Sequence, residues 1–382
     1  MLALDPATIA TARACFARGG APAEHLLQRA EEALRLTPAS VMDKRVLPPS
    51  GDAHDYLSLG TYWWPDPSKA DGLPYIRRDG HVNPEVETLD RPRLSRTADA
   101  VALLAAAAVL SGQTRFAARA ELLLATWFLA PATRMHAHLR YGQGIPGICA
   151  GRGIGIIDSE CLVRVCDALV LLRGAGLLTP QVDAGMNEWL AAYLDWLLAS
   201  DLGRAEAGEA NNHGTCYDVQ VVGLARHLGR SALARDILAA VPLRRIAPQV
   251  LADGRQPLEL ARARAWSYSL KNLMALLNLA GWGRELGVPL WEYRNDAGAG
   301  IPTVLAWLAP FALGRTPWIH QEVGGFHAPA LAPVAVRAAT LDPALLPLVA
   351  ELGATVEEVS LDTVTGCPLG AIGTLSERGF HG

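Results

Sequence analysis

Charged residues are scarce in this sequence. They account for 19% of its 382 residues, against 51% hydrophobic residues, and the formal net charge is −4. Lysines and arginines are dispersed and do not form a basic stripe, so the chain lacks the electrostatic footprint of a nucleic-acid-binding protein. We therefore expect no nucleic-acid partner. An anionic ligand would have to be held by a local group of arginines.

Several sequence signatures are also missing. The six cysteines show no CxxC pairing, which excludes zinc-finger and thioredoxin-like sites and favours buried thiols, with disulfides left open. No apolar run is long enough to span a membrane, so we expect no membrane partner. The first residues, MLALDPATIA, lack the basic and apolar regions of a signal peptide. GxSxG, P-loop and Cys/His nucleophile patterns are absent.

Helical periodicity is what the sequence does contain. Apolar residues recur at helical spacing along most of the chain, and no segment shows the sustained alternation of a half-buried strand. One helical segment starts near Ser95, which we predict as its N-cap. Short and long connections alternate, as in stacked antiparallel hairpins. We predict an all-α (α/α) toroid, an incomplete barrel of helical hairpins with little β-structure, forming one domain over residues 1–382. An open solenoid is the alternative.

Two long loops interrupt the helices, and loops of such length are often functional. The first, residues 41–94, contains Tyr62, Trp63 and Trp64 followed by a proline. Exposed aromatic rings in a loop suggest sugar stacking, although a loop packed onto the core would use the same residues. Arg77 in this loop could meet acidic groups of a ligand or simply be solvated.

The second loop, residues 130–155, is rich in glycine. His136 and His138 are spaced like a metal-binding pair, but no third histidine or helix-borne carboxylate stands at ligand spacing, so we expect no metal. The glycines do not follow a strand pattern, which argues against a dinucleotide site. We interpret Gln143 and Arg152 as polar groups of a ligand-binding loop.

The stretch EANNHGTCYDV places Asn211, Asn212 and His213 in a row before a helical segment. An asparagine is a good N-cap, but a cap uses only one of them. The second amide and the imidazole are uncharged groups that can bind a carboxylate at the mouth of a cleft. We expect Asn211 to cap the helix and the other two side chains to face a cleft. Replacing Asn212 by alanine should then damage turnover far more than stability.

The stretch ELARARAWSYSLKNL combines Arg262, Arg264 and Tyr268. Arg264 and the tyrosine stand four residues apart, the spacing of neighbours on one helix face. An amphipathic helix with solvated arginines would explain the same pattern. The functional interpretation is an ionisable tyrosine: the free side chain has a pKa of about 10, and an adjacent cation favours the phenolate.

Together these four segments resemble the alginate-lyase superfamily of (α/α)-toroid polysaccharide lyases, and most closely polysaccharide lyase family 38. The resemblance rests on DYLSLGTYWWPDP with GLPYIRRDG and NPE, on YGQGIPG with GRGIGIID, on NNHGTCYD, and on ELxR followed by YS. These motifs occur in the family's order across residues 55–273, more than half of the chain.

The resemblance implies β-elimination at a 4-linked uronate, without a metal or an organic cofactor. Asn212 and His213 match the family's Asn–His pair, Tyr268 matches its catalytic tyrosine, and Arg262 matches the arginine that follows ELx. Arg264 competes for that last role because of its helical spacing. The predicted catalytic residues are therefore Tyr268, His213, Asn212 and Arg262, and the predicted substrate-binding residues are Tyr62, Trp63, Trp64, Arg77, His138, Gln143, Arg152 and Arg264.

The resemblance also implies a substrate class, an anionic uronate polysaccharide or oligosaccharide. One tyrosine can take the C5 proton and protonate O4 only if both lie on the same side of the sugar ring. β-D-mannuronate and β-D-glucuronate meet this condition, whereas guluronate does not. Glucuronan (β-1,4-polyglucuronate, cellouronate) is the first expectation, from family 38, and mannuronate-specific alginate cleavage is the alternative. We further expect endo cleavage, a monomer, and a periplasmic or secreted enzyme, a cytoplasmic location being the alternative.

Two other classes compete with the lyase. A toroid glycoside hydrolase would need a pair of carboxylates, for which Asp158, Glu160 and Glu209 are the available residues. A non-catalytic polysaccharide-binding protein would not depend on Tyr268.

Overall fold

The computed structural model of the protein describes residues 6–354. α-Helices dominate this part of the chain, as the periodicity predicts. In chain order they are α1 (Pro6–Ala17), α2 (Ala21–Leu34), α3 (Asp90–Ser111), α4 (Thr114–Leu124), α5 (Leu162–Gly174), α6 (Pro180–Ala199), α7 (Asp201–Ala207), α8 (Asn212–His227), α9 (Ser231–Val241), α10 (Ala247–Gln249), α11 (Pro257–Leu260), α12 (Ala265–Leu286), α13 (Ile301–Ala312), α14 (Ala332–Ala339) and α15 (Leu346–Glu351).

Neighbouring helices fold back on each other through short connections. Only Gly112 and Gln113 separate α3 from α4, and the glycine adopts a left-handed conformation (φ 73°) that ends α3. The two helices pack along each other, and α8 and α9 form a similar pair. α8 also packs against α5 and α12, and α3 packs against α2 and α5. Helices therefore lie side by side in a continuous series around a large apolar core, and α14 and α15 enclose a small second cluster.

α3 lies at the centre of that core. It is the one helix in residues 6–354 that is long and apolar enough to cross a membrane by length and composition, contrary to the expectation that no run reaches this length. However, 78% of its apolar window is buried inside the protein, because its alanines and leucines pack against neighbouring helices. The helix begins at Asp90, so the prediction of Ser95 as its N-cap is wrong. Pro92 is tolerated because a first-turn N–H has no intrahelical acceptor.

β-Structure is limited to two small sheets in the described residues. β1 (Leu57–Leu59) pairs in parallel with β4 (Tyr141–Gly144), and β2 (Trp63–Trp64) pairs antiparallel with β3 (Ile76–Arg77). The first pair joins the two long loops to each other, and the second closes a hairpin within the first loop. Both loops are thus held over the ends of the helices, where they build the candidate site.

The described cysteines are unpaired thiols. Cys15, Cys161, Cys166 and Cys216 are buried, as expected for small apolar residues, and Cys149 is half-buried. Burial raises the pKa of the Cys161 thiol to about 12, which makes this side chain a poor nucleophile at neutral pH. Cys367 lies outside the described residues.

Candidate active site

Tyr268 lies in the first turn of α12 and is only 4% exposed. Its phenol oxygen accepts a hydrogen bond from Nη2 of Arg262 at 3.0 Å and is 2.9 Å from the hydroxyl of Tyr62. The guanidinium carbon of Arg262 also lies 4.0 Å from the centroid of the tyrosine ring. A phenolate at this position would have a cation and a hydroxyl group at its oxygen, and both favour the charged form.

Arg262, and not Arg264, supports the tyrosine. Helix α12 begins at Ala265, so Arg264 is its N-cap residue with non-helical φ and ψ, and helical spacing to Tyr268 does not apply. The Arg264 side chain instead donates from Nε to the carbonyl of Gly80 at 3.0 Å. Arg262 lies in the turn after α11, which folds back so that its guanidinium covers the tyrosine.

Asp79 holds Arg262 in place. Its carboxylate accepts hydrogen bonds from Nη2 and Nε of Arg262 at 2.9 and 3.2 Å and from the backbone N–H of Ala263 at 3.1 Å. Burial disfavours the charged form of both side chains, but the hydrogen bonds and the opposite charges together outweigh it. As a result, the pKa of Asp79 is lowered and the pKa of Arg262 is raised. Arg77 forms a further ion pair with Asp79 at 2.8 Å and is half-exposed. The first loop is thereby fastened to the start of α12.

Tyr62 is buried, with 7% exposure, so the expectation of an exposed ring is wrong for this residue. The reason is that the loop folds back onto α12 and places its hydroxyl against that of Tyr268. Burial, followed by the neighbouring Tyr268, raises the pKa of Tyr62 well above its ordinary value. Tyr62 therefore keeps its proton and is the donor whenever Tyr268 is ionised.

Trp63 and Trp64 remain partly exposed on β2. The guanidinium of Arg152 lies 5.9 Å from the ring centroid of Trp63, and that of Arg78 lies 5.3 Å from Trp64. The indole N–H of Trp64 donates to the carbonyl of His81 at 2.8 Å. These contacts fix both rings in a surface of alternating aromatic and cationic groups, a composition suited to an anionic sugar.

The NNH motif forms the N-terminus of α8. Asn211 is the N-cap, and its side-chain oxygen accepts a hydrogen bond from the backbone N–H of His213 at 3.0 Å. The prediction that Asn211 caps this helix is therefore confirmed. Asn212 is fully buried and donates its backbone N–H and its amide to the carboxylate of Glu259, each at 2.7 Å. Its Oδ1 has no hydrogen-bond partner in the described residues. Asn212 therefore lies beneath the cleft surface, held by α11.

His213 and Glu206 form a buried dyad, with Nδ1 of the imidazole 2.8 Å from the carboxylate. Burial and then the nearby cation of Lys271 lower the pKa of His213 to about 3. Burial raises the pKa of Glu206 to about 8. Both shifts favour the uncharged form of each side chain. In that form the carboxyl group donates its proton to Nδ1 of the neutral imidazole. The ring then carries its own proton on Nε2, where it is a hydrogen-bond donor.

Arg152 is a cation of the site without an acidic partner in residues 6–354. Its Nε and Nη2 donate to the backbone and side-chain oxygens of Gln143 at 3.1 and 2.9 Å, and no described carboxylate lies within ion-pair distance of it. Burial lowers the pKa of this guanidinium, and its charge contributes to the lowered pKa of His213. An arginine left half-buried without a counter-charge is a natural partner for a ligand carboxylate.

Gln143 supports this arginine, and both ends of its side-chain amide form hydrogen bonds within the protein. Its amide nitrogen donates to Asp158 at 2.9 Å, and its backbone N–H donates to Ser58 at 2.7 Å. The Asp158 carboxylate also accepts the hydroxyls of Tyr56 and Ser58 and pairs with Arg91 at 3.3 Å. Gln143 adopts a left-handed backbone conformation (φ 47°), which costs energy for a residue other than glycine and is common at functional sites.

His138 lies apart from these groups. Its Nε2 is 3.1 Å from Asp55, next to His136, and its ring contacts Trp196. The structure thus brings together Tyr268, Arg262, Tyr62 and Asp79. Trp63 and Trp64 lie on the first long loop, Arg152 lies on the second, and His213 lies in the first turn of α8.

Sequence reasoning missed the acidic partners: Glu206 for His213, Glu259 for Asn212 and Asp79 for Arg262. Two of them lie inside motifs, Asp79 in RRDG and Glu259 in ELxR, and their place in these motifs could have marked them as candidates. Glu206 lies in α7 among alanines, and nothing in its surroundings in the sequence distinguishes it.

The chain is similar to several known proteins. A family model described as alginate lyase matches residues 40–318. The crystal structure of an alginate lyase from Bacteroides ovatus has 36% identity and a TM-score of 0.89, covering 94% of this chain and 97% of that chain. Alginate lyase A1-III from Sphingomonas species A1 has 14% identity and a TM-score of 0.57, covering 92% of each chain. A variant of A1-III complexed with a tetrasaccharide has 14% identity and a TM-score of 0.59, covering 89% of each chain. No curated protein sequence gives a significant match.

These matches confirm the predicted all-α toroid and define the class: the chain is a polysaccharide lyase. It belongs to the alginate lyase family, because that family's model covers most of its length. The resemblance seen in the four motifs is therefore confirmed for the superfamily, while membership of polysaccharide lyase family 38 stays a prediction.

Proposed function

We propose that the chain cleaves 4-linked uronate polymers by syn β-elimination, with Tyr268 as base and then acid. The observation that carries this proposal is the position of the phenol oxygen, which lies between Nη2 of Arg262 at 3.0 Å and the hydroxyl of Tyr62 at 2.9 Å. Both neighbours can donate to a phenolate. The tyrosine also stands at the N-terminal end of α12, where the helix dipole favours negative charge.

The C5 proton of a uronate becomes removable only when the charge on its carboxylate is offset. His213 and Arg152 supply the two groups for this: an imidazole that donates from Nε2 and a guanidinium without an acidic partner. The N-terminus of α8, where His213 lies, adds a second helix dipole. As the C5–H bond breaks, negative charge moves onto the carboxylate oxygens, and these donors stabilise it there.

The proton transfers balance on one side chain. The Tyr268 phenolate takes the proton from C5, the C4–O4 bond breaks as the C4=C5 double bond forms, and the resulting phenol returns the proton to O4. Arg262 and Tyr62 hold the oxygen throughout, and Asp79 keeps the arginine in position. The products are a chain whose new reducing end keeps the glycosidic oxygen as its C1 hydroxyl, and a chain with an unsaturated sugar at its non-reducing end.

The site is closed in this structure, since Tyr62 covers the tyrosine oxygen. The contacts that close it are the Asp79–Arg262 ion pair and the bond from Arg264 to the carbonyl of Gly80. We propose that this first loop moves away from α12 to admit the polysaccharide and then closes again, which restores these contacts for the reaction. We further propose that Trp63 and Trp64 contact sugar rings.

Stereochemistry limits the substrate. A single base and acid requires H5 and O4 on the same face, so β-1,4-linked glucuronate or mannuronate fits and guluronate does not. We propose glucuronan as the first substrate, on the resemblance to family 38. Mannuronate-rich alginate is a second candidate, because the matching family and the relative with 36% identity are both named alginate lyases.

The hydrolase alternative has little support in the carboxylates. Asp158 is surrounded by donors, and Glu160 forms an ion pair with Lys271 at 3.1 Å. Neither is left as an unengaged acid or nucleophile of the kind that glycoside hydrolysis needs.

The test follows the ultraviolet absorbance of the C4=C5 double bond during incubation with polyglucuronate, polymannuronate and polyguluronate, with EDTA present. We expect a rise with one or both of the first two polymers and none with the third. No rise with any polymer would sink the lyase proposal. A rise that requires omission of EDTA would remove its metal-free part. A rise with polyguluronate alone would remove Tyr268 as the single group that acts as both base and acid.

A further inference from the structure

Outside the tyrosine site, two histidines and an aspartate converge on one point. Nδ1 of His136 and Nε2 of His138 lie 2.9 and 3.1 Å from the same oxygen, Oδ1 of Asp55. All three ligand atoms lie within 4.8 Å of one another. The sequence shows no carboxylate near His136 and His138 at the spacing of a metal ligand. In the fold, the other long loop supplies one, that of Asp55.

We propose that Asp55, His136 and His138 form a binding site for a divalent transition-metal ion, with Zn²⁺ as the best-suited ion. Zinc binds imidazole nitrogen and carboxylate oxygen at about 2.0–2.2 Å, which places neighbouring ligand atoms of a tetrahedral site about 3.3–3.5 Å apart. The two separations between a histidine nitrogen and the aspartate oxygen, 2.9 and 3.1 Å, come close to this, so shifts of a few tenths of an ångström would bring them to ligand spacing.

The surroundings keep the ligand atoms directed at one another. Oδ2 of Asp55 accepts the hydroxyl of Ser50 at 2.7 Å, which leaves Oδ1 for an ion. The other ring nitrogen of His138 has only a long contact, 3.4 Å from the backbone N–H of Arg140, which a metal-bound ring would release. The Ser50–Asp55 bond is an outer contact of the kind that orients a metal ligand.

A fourth ligand is at hand. Oδ2 of Asp52 lies 3.9 Å from Nδ1 of His136, while its Oδ1 is held by the backbone N–H of His54 at 2.9 Å. This side chain is half-exposed, so it or a water molecule can complete the coordination. Two imidazoles favour zinc and similar transition metals over Mg²⁺ and Ca²⁺, which prefer a shell made of oxygen ligands.

The site joins the two loops that carry the sugar-binding groups. The backbone N–H of His136 donates to the carbonyl of His54 at 3.0 Å, so the segments already touch, and they lead into the paired strands β1 and β4. β4 carries Gln143, which supports Arg152. A bound ion would therefore stabilise the frame of the cleft without contacting the reacting sugar. The inference does not depend on the proposed lyase reaction.

The test is a titration of the full chain, stripped with EDTA and desalted, with ZnCl₂ against a chromophoric chelator, and in parallel with Mg²⁺ and Ca²⁺. We expect one Zn²⁺ per chain, weak binding of the other two ions, and a higher Tm with zinc. His136→Gln and Asp55→Asn should each weaken zinc binding by about 100-fold. His25→Gln, on α2, is the matched control and should bind zinc like the wild type.

Two results would overturn the proposal: a folded wild-type chain that takes up no zinc, or variants that bind it as tightly as the wild type. The first would leave the three side chains as a hydrogen-bonded link between loops. If circular dichroism shows that a variant does not fold, the visible absorption spectrum of the wild type with Co²⁺ in place of zinc tests the proposal. Tetrahedral visible bands without a thiolate charge-transfer band support the nitrogen and oxygen ligands, whereas a thiolate band would place the ion at a cysteine.

Discussion

Arg262 lies both beside and above Tyr268: one of its nitrogens is 3.0 Å from the phenol oxygen, and its guanidinium carbon is 4.0 Å from the ring centroid. Six positions separate the two residues in the sequence, and a turn between α11 and α12 brings them together. The arginine is held in turn by Asp79 from a distant loop. The charge that favours a phenolate is therefore fixed in position before any substrate arrives.

Replacing Tyr268 by phenylalanine should abolish turnover while the protein stays folded and still binds the polymer. The substitution removes only the hydroxyl that transfers the proton, and general acid–base groups contribute up to about 10⁴-fold. Initial rates of double-bond formation and polymer binding by calorimetry measure the two effects. Tyr217→Phe is the control, because that buried hydroxyl donates to the carbonyl of Leu197 away from the site. More than a few per cent residual activity would remove the tyrosine as the acid and base.

Arg262→Gln should lower kcat by about 100-fold, whereas Arg264→Gln should lower it much less. The first change leaves the phenolate without its adjacent cation and leaves Asp79 without its partner. The second removes only the bond to the Gly80 carbonyl. Equal losses in the two variants would contradict this assignment of roles.

Much of the fold was predictable from the sequence: the order of the helices, the two long loops and the candidate site residues in the NNH and ELxR motifs. Helical periodicity and side-chain chemistry are local properties, so they can be read directly from the residues. The choice between Arg262 and Arg264 was not, since it depends on where α12 begins. The sequence also does not reveal the burial of Tyr62, because this depends on contact with the distant residue Tyr268. Nor does it reveal the pairing of His213 with Glu206, because this depends on how α7 packs against α8. The cluster of Asp55 with His136 was missed for the same reason.

The His213–Glu206 dyad should make stability fall between pH 6.5 and pH 8. Burial raises the pKa of Glu206 to about 8 from 4.5, so the unfolded chain has lost this proton over that range and the folded chain still holds it. Burial lowers the pKa of His213 to about 3 from 6.5, which opposes the effect below pH 6.5 but not above it. The expected loss is about 2 kcal/mol of unfolding free energy across this interval.

Glu206→Gln isolates that contribution from other buried acids. The glutamine amide can still donate to Nδ1 of His213, so the imidazole keeps its donor on Nε2 and activity should persist. Urea unfolding at the two pH values should show the decline in the wild type and a smaller one, by about 2 kcal/mol, in the variant. Turnover should likewise extend to higher pH in the variant. The same pH slope in both proteins would show that Glu206 is ionised in the folded state.

Asn212→Ala should lower stability as well as turnover, in contrast to the expectation from sequence. Because Asn212 is fully buried and its amide donates to Glu259, removal of that amide leaves a buried carboxyl group with only one of its two donors. The loss should be about 3 kcal/mol of unfolding free energy, against about 1 kcal/mol for Asn211→Ala, which removes only a helix cap. Urea unfolding of both variants measures the difference. Equal losses would mean that the Glu259 contact contributes nothing.

Arg152→Gln should raise KM about tenfold or more while changing kcat less. Its guanidinium has no carboxylate partner within ion-pair distance in residues 6–354, so its charge is available to the polymer, and a hydrogen bond to a charged group contributes about 1.5–3 kcal/mol. Arg77→Gln is the matched comparison, because that arginine is half-exposed and already paired with Asp79. The KM of this control variant should change little.

Raising the salt concentration should increase the wild-type KM and reduce the difference between the KM values of the wild type and the Arg152 variant, since screening weakens the same attraction. A KM that is unchanged in the Arg152 variant at low salt would show that the guanidinium does not bind the substrate carboxylate.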